Sequence, residues 1–290
     1  MACAVLAISW AAILVRLAQA PPLVTGAHRL GMASLLFWGA AAIARVSPLS
    51  GWTPRRLAEG AVAAAFLALH FGLWIASLGL TTVASSVLLV ATQPVFVAVL
   101  GYAVLGERVP RSAAAGIAVA LAGSATIAGG DVRLAGGAWR GDLLALGGAA
   151  AVAAHYLLVR RLRAAVDLLP LVCVVNPLAA LLLFGAAAVA GEPLAGFASA
   201  SYGAFFLLAL GPTVVGHTLL NWALRYRKAY EVNVATLGEP LGATLLALLL
   251  FGERLSPHVF LGGLLVLAGI LLAWGVPPRA RGTRAPRARA

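Results

Sequence analysis

Glu239 stands deep in an apolar run and is followed by Pro240. A carboxyl group surrounded by hydrocarbon can exchange a proton or pair with a cationic group of a ligand. A hydrogen-bonded helix-packing residue is the plainer reading. Gln93-Pro94 occupies a similar setting earlier in the chain, where an amide donates and accepts without the cost of a charge. His70, Trp74 and Ser77 fall at i, i+4 and i+7, so one helical face carries an imidazole, an indole and a hydroxyl. His217 and Asn221 repeat the four-residue spacing, with Trp222 adjacent, and His155-Tyr156 adds a further pair. Each histidine alone reads best as an interhelical hydrogen bond. Together they are hard to satisfy by packing, so a polar cavity holding a small-molecule substrate is expected, with proton coupling through Glu239 a secondary option. Trp10, Trp74 and Trp222 could wall it and stack on a planar or cationic cargo; tryptophans near helix ends also mark the membrane interface.

Other chemistries lack residues to carry them. Cys3 and Cys173 show no metal-ligand spacing, and no Walker A lysine, HExxH or GxSxG motif occurs. No metal, no cofactor and no enzymatic reaction is expected.

The elements that must hold these groups are set by composition. Of 290 residues, 62% are hydrophobic and 10% charged, with a mean hydropathy of +0.98. A soluble core of this length could not bury so much apolar surface, whereas lipid solvates it. The formal charge of +12 invites a nucleic-acid reading. Its arginines lie between apolar runs instead of forming a patch with aromatics, as groups excluded from hydrocarbon do, and no nucleic-acid partner is expected. Runs long enough to cross about 30 Å of hydrocarbon cover 2–18, 25–45, 57–78, 82–105, 111–129, 141–160, 168–190, 200–223, 230–251 and 257–276. The first lacks a basic start and has Arg16 where a cleavage site would lie, so it reads as a retained helix. Residues 277–290 carry five arginines and no apolar face, as a disordered cytoplasmic tail would.

With both termini inside, sixteen Lys and Arg fall on the inner side, among them Arg45, Arg55, Arg56, Arg160, Arg161 and Arg225, against five outside. That bias places the termini in the cytoplasm. The strongest signal is a repeat at an offset of 146. Gln93-Pro94 matches Glu239-Pro240, Gly106-Glu107-Arg108 matches Gly252-Glu253-Arg254, Gly116 matches Gly262, and Leu121-Ala122-Gly123 matches Leu267-Ala268-Gly269. Five spans per copy is an odd number, so the second copy must enter the membrane upside down. The fold expected is all-α and integral to the membrane: ten transmembrane helices as two inverted five-helix repeats, 1–130 and 141–276, around a central cavity. Pro94 and Pro240 would bend spans 4 and 9, either as hinges for rocking repeats or as static kinks.

Tandem copies, with a proline in spans 4 and 9 followed by Gly-Glu-Arg, resemble the EamA family of the drug/metabolite transporter superfamily. The resemblance covers nearly the whole chain and implies cytoplasmic termini, a cavity lined mainly by spans 1, 3, 4, 6, 8 and 9, and cargo such as amino acids, nucleotide-related metabolites or other small organic compounds. The function expected is secondary transport of a small polar or amphipathic, amino-acid-like metabolite across the inner membrane, as an export. Facilitated diffusion, import of another metabolite class, or a channel are the alternatives. A monomer or a homodimer in membrane lipid would serve.

Lesser groups read structurally. Glu107 and Glu253 should satisfy first-turn amides, and Asn176 and Asn233 fit either cavity or packing. Arg29, which resembles an arginine often found at that place in the family, should snorkel to headgroups; gating the outer mouth or binding an anionic group are the alternatives. The Gly- and Ala-rich spans 5 and 10 should serve packing or dimerisation.

Overall fold

The computed structural model describes residues 2–105, 111–133, 137–226, 232, 236 and 238–274. Every regular element among them is helical. The first half contributes α1 (Ala2–Ser9), α2 (Ala11–Ala18), α3 (Pro22–Ile43), α4 (Pro54–Ser77), α5 (Val83–Val90), α6 (Gln93–Leu105) and α7 (Arg111–Arg133). The second contributes α8 (Trp139–Leu162), α9 (Leu168–Val189), α10 (Ser199–Leu208), a π-helical segment (Ala209–His217), α11 (Thr218–Ala223), α12 (Gly238–Phe251) and α13 (Pro257–Trp274). Five stretches among the described residues are long and apolar enough to cross a membrane: Pro54–Ser77, Val83–Gly101, Trp139–Leu162, Leu168–Val189 and Ser199–Ala223. Shorter apolar helices, such as Ala2–Ala18 and Gly238–Phe251, pack among them.

Helix starts follow local chemistry. Pro22 and Pro54 occupy first-turn positions, where a missing N–H costs nothing. Thr53 and Thr82 accept the amides of Arg56 and Ser85 at the openings of α4 and α5.

The boundaries themselves recur. α3 and α9 are each 22 residues long, and the second begins and ends 146 positions beyond the first, 22 to 168 and 43 to 189. Their exits match bond for bond. Val46 N–H donates to Ala41 O and Arg45 N–H to Ala42 O, while Glu192 N–H donates to Ala187 O and Gly191 N–H to Ala188 O. Both are Schellman turns whose pivot residue takes a left-handed backbone, φ 53° at Arg45 and 71° at Gly191. Only the second copy has the residue without a Cβ there. Exposed Arg45→Gly is therefore expected to raise the melting temperature in detergent by a few degrees, from roughly 1 kcal/mol of relieved strain; an unchanged or lower melting temperature would contradict the left-handed turn.

α7 and α13 pack backbone to backbone. A Cβ on Gly123 would lie 2.6 Å from Gly262 O, and one on Gly269 would lie 2.6 Å from Gly116 O and 2.4 Å from Ala120 N. Early residues of α7 meet late residues of α13, so the pair runs antiparallel. These are the glycines that the repeat equates, and each meets the counterpart of the other's partner. Such reciprocal contact is what a two-fold relation between helices produces. The Gly-rich faces expected to serve packing or dimerisation are here spent on each other.

Pro94 and Pro240 do not bend continuous helices. Each lies in the first turn of a new helix, α6 or α12, where its absent N–H is not missed. Within span 4 the helix α5 ends at Val90, and Thr92 bridges the gap to α6 with its N–H on Leu89 O and its carbonyl on Val95 N–H. The Thr236 carbonyl, to which a proline four positions on cannot donate, accepts Glu239 N–H at 2.9 Å. In span 8, Pro212 cannot donate to Leu208; the helix widens to a π turn, and Thr213 Oγ1 donates to Leu208 O instead.

At one end of the bundle, Arg16 pairs with Glu253 and also donates to the carbonyls of Leu78 and Thr81. Glu253 accepts Val83 N–H at 3.1 Å, so it serves a first-turn amide, as expected, but that of α5 across the bundle and not that of its own neighbour. Glu107, Asn233 and the tail 277–290 lie outside the described residues.

Candidate functional site

Where the halves meet, a cavity opens between α1, α4, α5, α6, α8, the π segment and the start of α12. His70, Phe71 and Trp74 form one wall, Tyr156 and His217 another, and Gln93, Thr236 and Glu239 a third. Ile8, Val90 and Leu220 supply apolar surface between them. Two half-helices, α6 and α12, begin in this wall. Glu239 lies in the first turn of α12, where the helix dipole favours a carboxylate, whereas α6 opens with neutral Gln93. Gln93 Nε2 donates to Thr236 Oγ1 at 3.2 Å, joining the two openings across the repeat.

Backbone carbonyls orient two of the imidazoles. His70 Nδ1–H donates to Gly148 O and His155 Nδ1–H to Ala63 O, both at 2.9 Å, tying α4 to α8 twice. A neutral ring held this way keeps a lone pair on Nε2, so His70 can accept a hydrogen bond from cargo. Its ring stacks parallel to Trp74 at 6.0 Å. Tyr156 OH and His217 Nδ1 approach to 3.4 Å, bridging α8 and the π segment. The cavity holds about 30 Å³ of water-accessible space, on the order of two waters. This conformation is therefore contracted, with no room for a solute much larger than water.

Behind the wall lies Arg29, fully buried. Its Nε donates to Thr213 Oγ1 at 2.7 Å, and its guanidinium carbon rests 4.2 Å over the Phe71 ring. Neither terminal nitrogen has a hydrogen-bond partner among the described residues. Arg29 thus does not snorkel to headgroups, as the sequence suggested. It starts about 10 Å from the helix opening, farther than its side chain reaches, and the π turn offers Thr213 as an anchor.

The model of the EamA-like transporter family matches residues 1–129 and again 139–275. The chain belongs to the EamA-like transporter family. Among relatives, an uncharacterised transporter of Archaeoglobus fulgidus is 37% identical over 67 residues, 23% of this chain and 25% of its own length. A probable terminal-alkyne amino-acid exporter of Streptantibioticus cattleyicolor is 29% identical over 195 residues, 64% of this chain and 62% of the exporter. The chain thus spans less than two thirds of either relative. A crystal structure superposes with a TM-score of 0.68 over 93% of both chains at 19% identity, a likeness of fold. The protein is accordingly a multi-pass helical membrane protein of a transporter family.

Within this EamA protein, the cavity brings together His70, Trp74, Gln93, Tyr156, His217 and Glu239 from the residues singled out in the sequence. Others stand elsewhere. Ser77 donates to Trp74 O and shares a 2.7 Å hydrogen bond with Ser86, joining α4 to α5. His155 lies buried behind Tyr156, and Asn221 is buried one turn beyond His217. Trp10 and Trp222 are 45% and 50% exposed and do not wall the cavity; Trp222 packs on Tyr226. Asn176 is buried in α9 away from the cavity. Sequence reading missed Phe71, Thr213 and Thr236, and named Arg29 but placed it at the headgroups. Arg29's depth in its run was visible; the π turn that presents Thr213 was signalled only by Pro212.

Proposed function

We propose that this EamA protein is a secondary transporter exporting a small polar or amphipathic, amino-acid-like metabolite across the inner membrane by alternating access. The observation that carries this reading is the buried cavity between the halves, where a carboxylate, an amide, imidazoles and aromatic rings converge out of reach of lipid. Ten spans in two inverted copies, with cytoplasmic termini, give the moving parts. Support comes from two successive family matches, from helix boundaries recurring at 146 positions, and from the reciprocal, antiparallel glycine contacts of α7 and α13. The exporter relative supports an amino-acid-like cargo and outward direction. The half-helix openings at Gln93 and Glu239 are the elements that exchange neighbours as the halves rock, and His70, Trp74, Tyr156 and His217 orient the cargo.

The test is counterflow in proteoliposomes containing the purified chain. A carrier accelerates uptake of labelled cargo when unlabelled cargo is trapped inside; a channel does not. Glu239 is proposed to couple a proton. Glu239→Gln, compared per folded molecule, should then lose the response of flux to an imposed pH gradient while still exchanging cargo. Wild-type rate and gradient response in that variant would eliminate proton coupling and leave facilitated exchange.

A further inference from the structure

Arg29 is the charged group that the cavity chemistry above leaves unused. A guanidinium stays protonated in any protein environment, and placing it among hydrocarbon is costly unless anions or hydrogen-bond acceptors surround it. Here one of its nitrogens has Thr213 and two have nothing among the described residues. The group is held rigidly all the same, by Thr213 on one side and by Phe71 and Trp74, 4.2 and 5.9 Å from its carbon, on the other. Both rings are also cavity wall. A planar cation with two free donor nitrogens, fixed beneath an aromatic ring of the cavity, is geometrically a carboxylate fork with no carboxylate in it.

We propose that Arg29 is the subsite for a carboxylate of the cargo, covered by the Phe71 ring in the contracted state and uncovered when that ring turns. Glu239, across the cavity, then faces the cargo's ammonium. The two ends select a zwitterion over a plain amine or a plain acid, and the aromatic wall between them takes an apolar side chain. Arg29 is anchored on the second half through Thr213 although it belongs to the first, so cargo held by Arg29 and Glu239 touches both halves. This inference rests on the amino-acid reading above and narrows it.

The experiment uses proteoliposomes of the full chain and a labelled mixture of the common amino acids to find the fastest substrate. That amino acid is then compared with its decarboxylated amine and its carboxamide. The wild type should carry the free amino acid at least tenfold faster than either. Arg29→Gln should lose most of this preference, with amino-acid flux falling at least tenfold and amine flux unchanged or higher. Thr213→Val, which keeps shape but frees Nε, should raise KM for the amino acid several-fold with little change for the amine. Should Arg29→Gln fail to fold, the wild-type comparison and Thr213→Val decide. Equal wild-type rates for amino acid and amine overturn the carboxylate subsite and leave the transporter reading intact. If no amino acid is carried at all, the amino-acid reading falls and the subsite with it.

Discussion

Gly269→Leu is expected to leave little folded protein in mild detergent. A single Cβ at this position already lies 2.4 Å from Ala120 N, 2.6 Å from Gly116 O and 2.9 Å from Ala120 Cα, all backbone atoms that no rotamer change can move. A leucine adds a branched side chain to the same gap. Overpacking with side-chain neighbours costs typically 1–3 kcal/mol, and here the neighbours are rigid, so about 3 kcal/mol or more is expected. Gly39→Ala is the control, since nothing stands within 4 Å of its added Cβ; that change should be neutral or slightly favourable. Thermal unfolding of the two variants by intrinsic fluorescence checks the pair. A Gly269→Leu protein melting with the wild type would mean that α7 and α13 do not touch where the structure joins them.

The second large effect is electrostatic. Glu239→Gln removes the acid of the cavity wall behind which Arg29 stays buried and charged. Breaking a buried pair in contact commonly costs about 3–5 kcal/mol; because Arg29 and Glu239 share no hydrogen bond or ion pair, roughly 1–2 kcal/mol is expected. Arg29→Met should cost much less, since a carboxyl group can protonate and a guanidinium cannot. The double variant should recover most of the loss, a coupling of at least about 1 kcal/mol in a double-mutant cycle. Chemical-denaturant or thermal unfolding of all four proteins measures it. Additivity within about 0.5 kcal/mol would show that the two charges do not sense each other across the cavity.

How much of this was legible in the residues follows from what sets each feature. Gln93-Pro94 and Glu239-Pro240 marked two matching places because a repeat preserves turn chemistry, and both lie in the cavity wall. The prolines were misread as kinks because a proline inside an apolar run is compatible with either a bend or a fresh helix start; only the bonds of Thr92 and Thr236 distinguish these. The face of His70 and Trp74 was readable from helical spacing, since both side chains lie one turn apart. Trp10 and Trp222 were not, because an indole suits a cavity and a lipid boundary equally. Arg29 was misplaced for a different reason. Its partner Thr213 is 184 positions away and is presented by a π turn, which no local period announces.

The halves share their helix limits to the residue in α3 and α9, yet position 93 carries an amide where 239 carries an acid. A duplicated scaffold swaps the roles of its copies when it turns over, but an unequal charge cannot be swapped. In the proposed alternating-access cycle, cargo would therefore meet different electrostatics from each side of the membrane, and occupancy at equal concentrations would differ between the two orientations. In that cycle the lopsided charge, set in an otherwise two-fold scaffold, would decide which compartment loads it more readily.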